Sequence, residues 1–195
     1  MKKYILLSLS CLLLCACHNN DYTPKPQAYL RIDTPEHLYA PADSLSAALP
    51  VCFEVNRCAE VVEKEAPKGE VWVDLKYPRW DGVVFLTYKP LRNAGDLRGQ
   101  TDTSSRLLEQ HYQFTSGIED QKYEDRENRV YGSVYYLRGK RVASTCQFWL
   151  TDSSHHFLRG ALYLNTAPNN DSLAPVLDYM QADIEHLVET LRWRR

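Results

Sequence analysis

Two features are missing from most of this sequence: long apolar segments and a surplus of positive charge. After residue 16, no apolar run approaches the roughly 20 residues that a membrane-spanning helix needs. We therefore expect the rest of the chain to fold outside the bilayer. Removing Lys2 and Lys3 from the 23 basic residues leaves 21 against 25 acidic ones, a net charge near −4. Because nucleic-acid binding needs a basic surface, this balance predicts no nucleic-acid partner.

Common sequence signatures of catalytic sites are missing too. The chain contains no P-loop, no GxGxxG after a predicted strand, no HExxH and no GxSxG. The acidic residues within 119–127 lack the spacing of a calcium loop. We therefore predict neither a cofactor nor a bound metal.

One cluster does combine the residue types of a hydrolase site, since residues 152–156 read Asp-Ser-Ser-His-His. A catalytic triad needs members that converge from different elements so that each contacts the next, whereas these five are consecutive. In an extended chain, His155 and His156 would also point to opposite faces. We interpret the cluster as a polar turn before a strand, and a periplasmic enzyme that uses it is the alternative.

Residues 1–16 have the features of a secretory signal peptide. Lys2 and Lys3 form a short positive start, and residues 4–16 are apolar apart from two serines. Residues 14–17, Leu-Cys-Ala-Cys, resemble the bacterial lipobox, so we expect cleavage before Cys17 and its modification by acyl chains such as palmitate. Ordinary secretion with cleavage at a small-x-small site is the alternative, and the polar residues directly after Cys17 disfavour it.

The predicted anchor sets the expected location and domain organisation. Each buried methylene contributes about 0.8 kcal/mol, so two or three acyl chains hold a protein firmly on a membrane. We expect a lipid-anchored protein of the cell envelope that faces the periplasm, on either the inner or the outer membrane. Residues 17–28 contain Pro24 and Pro26 and predict an extended tether. Residues 29–195 are long enough for a single globular domain.

Three cysteines remain in the predicted domain: Cys52, Cys58 and Cys146. An exported protein can form disulfides, but three cysteines cannot all pair with one another. Cys52 and Cys58 could pair only if the chain turned between them, because straight strand would hold them too far apart. We expect at least one buried free thiol, and without a CxxC pair we expect no metal site.

Hydrophobic patterning predicts an α+β domain. Strands are predicted at residues 29–33, 51–55, 71–77, 83–88, 130–137, 141–150 and 156–164, helices at 101–114 and 171–191, and loops at 34–50 and 116–129. On the last helix, Leu177 and Leu187 belong to an apolar stripe, and Asp178, Asp183 and Glu185 are expected to face away from it. The order predicts an antiparallel sheet of about six to seven strands with packed helices. It resembles the Mog1/PsbP-like fold, a likeness that carries no function.

Two further places have the chemistry of a partner-binding surface. Arg159 precedes Gly160 inside a predicted strand, where glycine indicates a bulge or a close backbone approach. Two interpretations of Arg159 stay open: its side chain has a buried partner, or it faces the edge of the sheet. The C-terminal residues Arg192, Trp193, Arg194 and Arg195 suit the end of a helix dipole, and they also have the composition of a binding hot spot.

Several short segments carry a family resemblance: residues 21–26 directly after the expected anchor, then 130–132, 147–148, 150–153, 157–163, 168–169, 171–176 and 191–193. They resemble GldD, the gliding-motility lipoprotein family of the Bacteroidota, over nearly the whole mature chain. The resemblance is most specific in the C-terminal half. Cys58 stands where the family would have an aromatic residue, so a disulfide at Cys58 would be peculiar to this protein.

The resemblance implies a role in gliding and in the type IX secretion system, with other envelope proteins of these systems as partners. It supplies no catalytic residues. We therefore expect a non-enzymatic factor for assembly or stabilisation. A hydrolase-like enzyme and a small-ligand or lipid-binding module, each using residues 152–160, are the alternatives.

Overall fold

The computed structural model describes residues 31–42, 45 and 49–194. The expected signal peptide, the lipidation site at Cys17 and the tether lie outside the described residues, as does Arg195. The strands are β1 (Tyr39–Pro41), β2 (Val51–Cys52), β3 (Glu54–Asn56), β4 (Glu60–Lys64), β5 (Val71–Tyr77), β6 (Gly82–Pro90), β7 (Gly117–Asp125), β8 (Val130–Arg138), β9 (Cys146–Thr151), β10 (His156–Leu164) and β11 (Arg192–Trp193). The helices are α1 (Ala94–Glu109) and α2 (Asn170–Thr190), with short 3-10 turns at Pro78–Trp80 and Tyr112–Phe114.

Seven of these strands form one antiparallel sheet, in the order β4-β5-β6-β10-β9-β8-β7. It consists of two meanders, β4-β5-β6 and β7-β8-β9-β10, joined in sequence through α1. The meanders meet where β6 pairs with β10 over nine residues, from Gly82 opposite Leu164 to Pro90 opposite His156. This topology confirms the predicted α+β class and the antiparallel sheet, and it is compatible with the Mog1/PsbP-like resemblance.

The core lies between one face of this sheet and α2. Alternate residues of the central strands face the helix and are almost fully buried, among them Leu86, Phe148 and Leu158. The stripe on α2 meets them, with Leu177 6% exposed and Leu187 1% exposed. Full burial of one such side chain contributes about 1.5–3 kcal/mol relative to exposure. The predicted core role of the α2 stripe is therefore confirmed.

The opposite face of the sheet is only partly covered. Helix α1 packs there through Leu108, which joins Leu137 of β8 in a small second cluster. Farther along the same face, Trp72 of β5 and Phe85 of β6 remain 39% and 42% exposed.

Gly160 explains the unusual Arg-Gly pair inside a strand. It lies opposite Phe148 in the β9–β10 register, and a Cβ atom at Gly160 would overlap the Phe148 ring. Gly160 therefore accommodates a side-chain ring on the core face, which differs from the bulge or close backbone approach that its position in a strand predicts.

Several of the predicted boundaries were wrong where the local signal is weak, and the strand predicted at 141–150 begins only at Cys146. The loop predicted at 116–129 contains the edge strand β7, whose residues are mostly exposed on both faces, so no hydrophobic alternation marks it. Its charged side chains suit a sheet edge, where they discourage pairing with another chain. The helix predicted at 101–114 ends at Glu109, before a separate 3-10 turn. It also begins earlier, because the Asn93 side chain accepts a hydrogen bond from the backbone N–H of Asp96 and caps α1.

The N-terminal prediction also needs correction. Residues 31–33, the described part of the strand predicted at 29–33, are irregular, and the first described strand, β1, lies inside the predicted loop. Strand β1 pairs with β3, which places Tyr39 opposite Asn56.

Asp183 was predicted to face away from the core, and this was wrong. It is 5% exposed, because its position on α2 lies on the same stripe as Met180 and Leu187. Its Oδ1 accepts hydrogen bonds from Tyr39 Oη at 3.0 Å and Asn56 Nδ2 at 3.0 Å, and lies 2.7 Å from His37 Nδ1. Its Oδ2 accepts one from Tyr77 Oη at 2.9 Å. A buried carboxylate with several donors is satisfied, and here it ties β1, β3 and β5 to α2.

The three cysteines of the domain are free. Cys146 is fully buried, which confirms the expected buried thiol, and burial raises its pKa above the ordinary value. Cys52 and Cys58 are exposed and unpaired with each other.

Candidate functional site

A concave pocket of about 560 Å³ lies at one end of the sheet. We call it the cationic pocket. Its wall includes Arg129, His155, His156, Arg192, Trp193 and Arg194, together with the carboxylates of Glu127 and Asp152. It therefore brings the 152–156 turn and the C-terminal Arg-Trp segment, which are distant in sequence, into one site.

The C-terminal wall of the pocket is positioned by a short strand pair. After α2 ends, Leu191 is extended, and β11 pairs antiparallel with β2, placing Trp193 opposite Val51. The backbone N–H of Arg194 continues the pairing by donating to the Pro50 carbonyl at 2.8 Å. Trp193 then stacks on His156, with ring centroids 5.1 Å apart, and its Nε1 donates to the Arg129 carbonyl at 3.1 Å.

The 152–156 turn is organised by one carboxylate oxygen. Asp152 Oδ1 accepts from the backbone N–H groups of Ser154, His155 and His156 at 2.9, 2.7 and 2.9 Å. Burial acts to raise the pKa of Asp152, but these three donors outweigh it and hold that pKa below its ordinary value. Ser153 has a φ of 69°, which lets the chain reverse there. The prediction of a polar turn before a strand is confirmed.

The two histidines line the same pocket but have different surroundings. His155 precedes β10, so strand alternation does not separate it from His156; its Nδ1 lies 3.5 Å from Asp152 Oδ2. His156 Nδ1 lies 2.9 Å from the Tyr88 hydroxyl. Burial lowers the pKa of His156, against the opposite pull of Asp152, so its ring is mainly neutral at pH 7.

The serines of the turn are not set up as nucleophiles within the described residues. Ser154 Oγ accepts from Arg129 Nη2 at 3.2 Å, and neither serine hydroxyl is hydrogen bonded to a histidine ring anywhere in that part of the chain. A nucleophile needs such contact with its base. What this geometry offers is a histidine–carboxylate pair beside several cations.

The guanidinium groups of the pocket have few carboxylate partners. Arg129 donates to Ser154 Oγ and lies 3.5 Å from the Asp152 carbonyl. Arg194 Nε donates to Cys52 Sγ at 3.3 Å. Of the three arginines, only Arg192 has a carboxylate oxygen within 4 Å among the described residues, Asp125 Oδ2 at 3.8 Å. Arginine suits carboxylates and phosphates because its donors form a planar fork, so this pocket suits an anionic group.

Comparison with known families decides the identity of the chain. The family described as "Gliding motility lipoprotein GldD" matches residues 19–193. The chain belongs to this family. The match includes every lining residue of the cationic pocket except Arg194, and it confirms the resemblance seen in the sequence. No curated protein matches the chain.

Membership in the GldD family agrees with the expected place of this protein. A lipoprotein family implies association with the cell envelope, and its name assigns it to gliding motility. Among the described residues of this GldD-family chain, no helix is both long enough and apolar enough to cross a membrane.

Arg159, predicted beside the C-terminal arginines as a partner-binding residue, lies elsewhere. It points from β10 to the face of the sheet opposite α2, whereas His156 points to the α2 side. Its Nη2 donates to Gln147 Oε1 at 2.8 Å. The structure thus groups Arg192, Trp193 and Arg194 with the 152–156 turn and separates Arg159 from them.

Arg129 is the pocket residue that sequence reasoning missed. It lies in the charged segment predicted as a loop, where no periodicity distinguishes one arginine from another. Its φ of 54° marks a turn between β7 and β8. Only the pairing of β7 with β8, which was not predicted, places this turn beside the 152–156 turn.

Proposed function

We propose that this GldD-family lipoprotein is a non-enzymatic factor that supports gliding and type IX secretion by holding an acidic segment of another envelope protein. The cationic pocket is the contact surface. In this proposal, acyl chains on Cys17 keep the protein on an envelope membrane, and the domain faces the periplasm.

One observation carries the proposal: three arginines line one concave surface, and a single carboxylate lies within 4 Å of only one of them among the described residues. Charge-assisted, bidentate contacts between arginine and carboxylate are among the stronger polar contacts in proteins. Trp193 adds the aromatic surface that binding hot spots commonly contain. An acidic peptide segment matches both the charge and the concave shape.

Charge reversal tests this surface. Arg129, Arg192 and Arg194 are exposed. Arg129→Glu, Arg192→Glu and Arg194→Glu together should abolish recovery of crosslinked partners and impair gliding and type IX secretion, because they would place like charges opposite the acidic segment. The matched control reverses three exposed arginines outside the pocket with no described side-chain partner: Arg57, Arg98 and Arg141. Both variants change the net charge equally, so a difference between them at equal protein abundance assigns the effect to the pocket. Equal behaviour of the two variants contradicts the proposal.

A second variant separates a scaffold from a hydrolase. Ser153→Ala with Ser154→Ala removes both candidate nucleophiles while every pocket cation stays. We expect gliding and secretion to persist at normal protein abundance. Their loss, with partners still crosslinked, would overturn the non-enzymatic proposal and favour the enzyme.

A further inference from the structure

Arg159 is a half-buried cation that has no carboxylate partner among the residues that the structure describes. Its one hydrogen bond to a side chain goes to the neutral amide of Gln147, and no carboxylate lies within 4 Å of its guanidinium among the described residues. Gln147 is only 3% exposed, and its Nε2 has no hydrogen-bond partner in that same set. Desolvating a charge is costly unless it is paired, so this arrangement lacks an anion.

The titratable groups that face Arg159 do not supply the missing charge. Burial lowers the pKa of His111, and the nearby Arg159 guanidinium lowers it further, so this histidine is neutral at pH 7. Tyr163 lies on the same face of β10, and its phenol supplies no carboxylate. The guanidinium itself keeps its charge throughout the physiological range.

Arg159 lines a cavity of about 160 Å³ between α1 and the sheet. Phe157 and Leu107 give the cavity apolar walls. Its acidic residue, Glu70, is already engaged, because Oε1 lies 3.0 Å from Lys89 Nζ and Oε2 accepts from Trp72 Nε1 at 3.0 Å. Within the described part of the chain, Arg159 is therefore the cation of this cavity that has no carboxylate partner.

A shallow groove of about 600 Å³ on the exposed part of the sheet adjoins the cavity. Besides aromatic side chains, the groove is lined by Glu65 and by Lys64 and Asp74, whose Nζ and Oδ2 atoms lie 3.6 Å apart. Trp72 and Thr87 border both the cavity and the groove, and Phe85 lines the groove farther out. The groove floor is the face of β5 and β6, whose backbone groups are paired with neighbouring strands. Such a floor has no free backbone groups for a peptide main chain, whereas an acyl chain needs none.

We propose that this is a second binding site, which takes a fatty acid with its carboxylate on Arg159 and its acyl chain across Trp72 and Phe85. A single carboxylate matches the charge of Arg159, which has no carboxylate within 4 Å among the described residues, and a carboxylate can form two parallel hydrogen bonds with a guanidinium. A phosphate would bring up to two charges into a cavity with apolar walls. This site lies on the face of the sheet opposite α2, and it does not depend on the function proposed for the cationic pocket.

Photolabelling in intact envelopes tests this site on the protein as it exists in the cell. The probe is a photoreactive ten-carbon fatty acid, and its alcohol counterpart is the headgroup control; labelled peptides are mapped by mass spectrometry. We expect the acid to label the segments that contain Trp72 and Phe85 at least about tenfold more than the alcohol, the scale of a hydrogen bond to a charged group. Equal labelling by acid and alcohol, or labelling confined to other segments, overturns the proposal.

Arg159→Gln supplies the matching variant, with the exposed Arg141→Gln as its control. Arg159→Gln should reduce acid labelling of the groove about tenfold or more, and Arg141→Gln should leave it unchanged. Unchanged labelling of Arg159→Gln at normal abundance refutes the role of the guanidinium. If Arg159→Gln fails to accumulate, the comparison of acid with alcohol labelling on the unaltered protein still tests whether the groove binds a fatty acid through its carboxylate. If a peptide with an apolar C-terminus displaced the acid at a concentration below that of the acid, the proposal of a fatty acid as the ligand would be overturned.

Discussion

Removing the carboxylate of Asp183 should destabilise the domain strongly. Asp183→Ala leaves Tyr77 and Asn56, which are 2% and 1% exposed, without an acceptor that each now uses. An unsatisfied buried donor costs about 1–3 kcal/mol, so two of them cost about 2–6 kcal/mol. Tyr39 and His37 also lose a partner, but they are less buried and water can replace part of that loss. A typical domain has a free energy of unfolding of about 5–15 kcal/mol.

Urea denaturation, monitored by tryptophan fluorescence, measures this loss. The matched control is Asp178→Ala on the same helix, because Asp178 is exposed and has no described partner. We expect the control to change the free energy of unfolding by less than about 0.5 kcal/mol, as for most surface substitutions. Asp183→Ala with an equally small effect would refute the assignment of Asp183 as the residue that ties the N-terminal strands to α2.

Three further outcomes follow from the same structure and sequence. Leu187→Ala, at a position 1% exposed, should cost about 2–5 kcal/mol of unfolding free energy; an unchanged urea midpoint would place this side chain outside the core. Cys17→Ser should prevent incorporation of labelled palmitate and move the protein out of the membrane fraction; retention there after a high-salt wash would contradict the anchor. Burial raises the pKa of Tyr179 to about 12, so its contribution to stability is complete below the unfolded pKa of about 10 and is lost as the pH rises through about 12. Urea midpoints measured from pH 9 to 12 should therefore fall less steeply for Tyr179→Phe than for the unaltered protein, and identical slopes would contradict this.

Periodic segments made most of the fold predictable from the sequence. Strand β10 was predicted with its observed bounds, and the α2 stripe was recognised because apolar residues recur at helical spacing. Asp183 belongs to that stripe by position, three residues after Met180 and four before Leu187. Its helical position, rather than its charge, was the signal that could have placed it inside.

The candidate site was less predictable because it depends on pairings without periodicity. Strands β2 and β11 are two residues each, too short for any pattern, yet they bring Trp193 to the 152–156 turn. Strand β7 is mostly exposed on both faces, so no alternation of apolar residues in the sequence indicates that it pairs with β8. That pairing positions Arg129. The residue types of the site were visible in the sequence, and their convergence was not.

Site-specific photocrosslinking from the cationic pocket tests the central claim most directly. A photoreactive amino acid replaces Glu127, an exposed residue of the pocket wall, and a matched strain carries it at exposed Glu109 on α1. Crosslinked peptides from living cells are identified by mass spectrometry. We predict crosslinks from position 127, absent from position 109, to an Asp- and Glu-rich segment of an envelope protein of the gliding or type IX secretion machinery. Capture of the same proteins from both positions, or of no protein from position 127, would contradict the claim that this pocket holds an acidic partner.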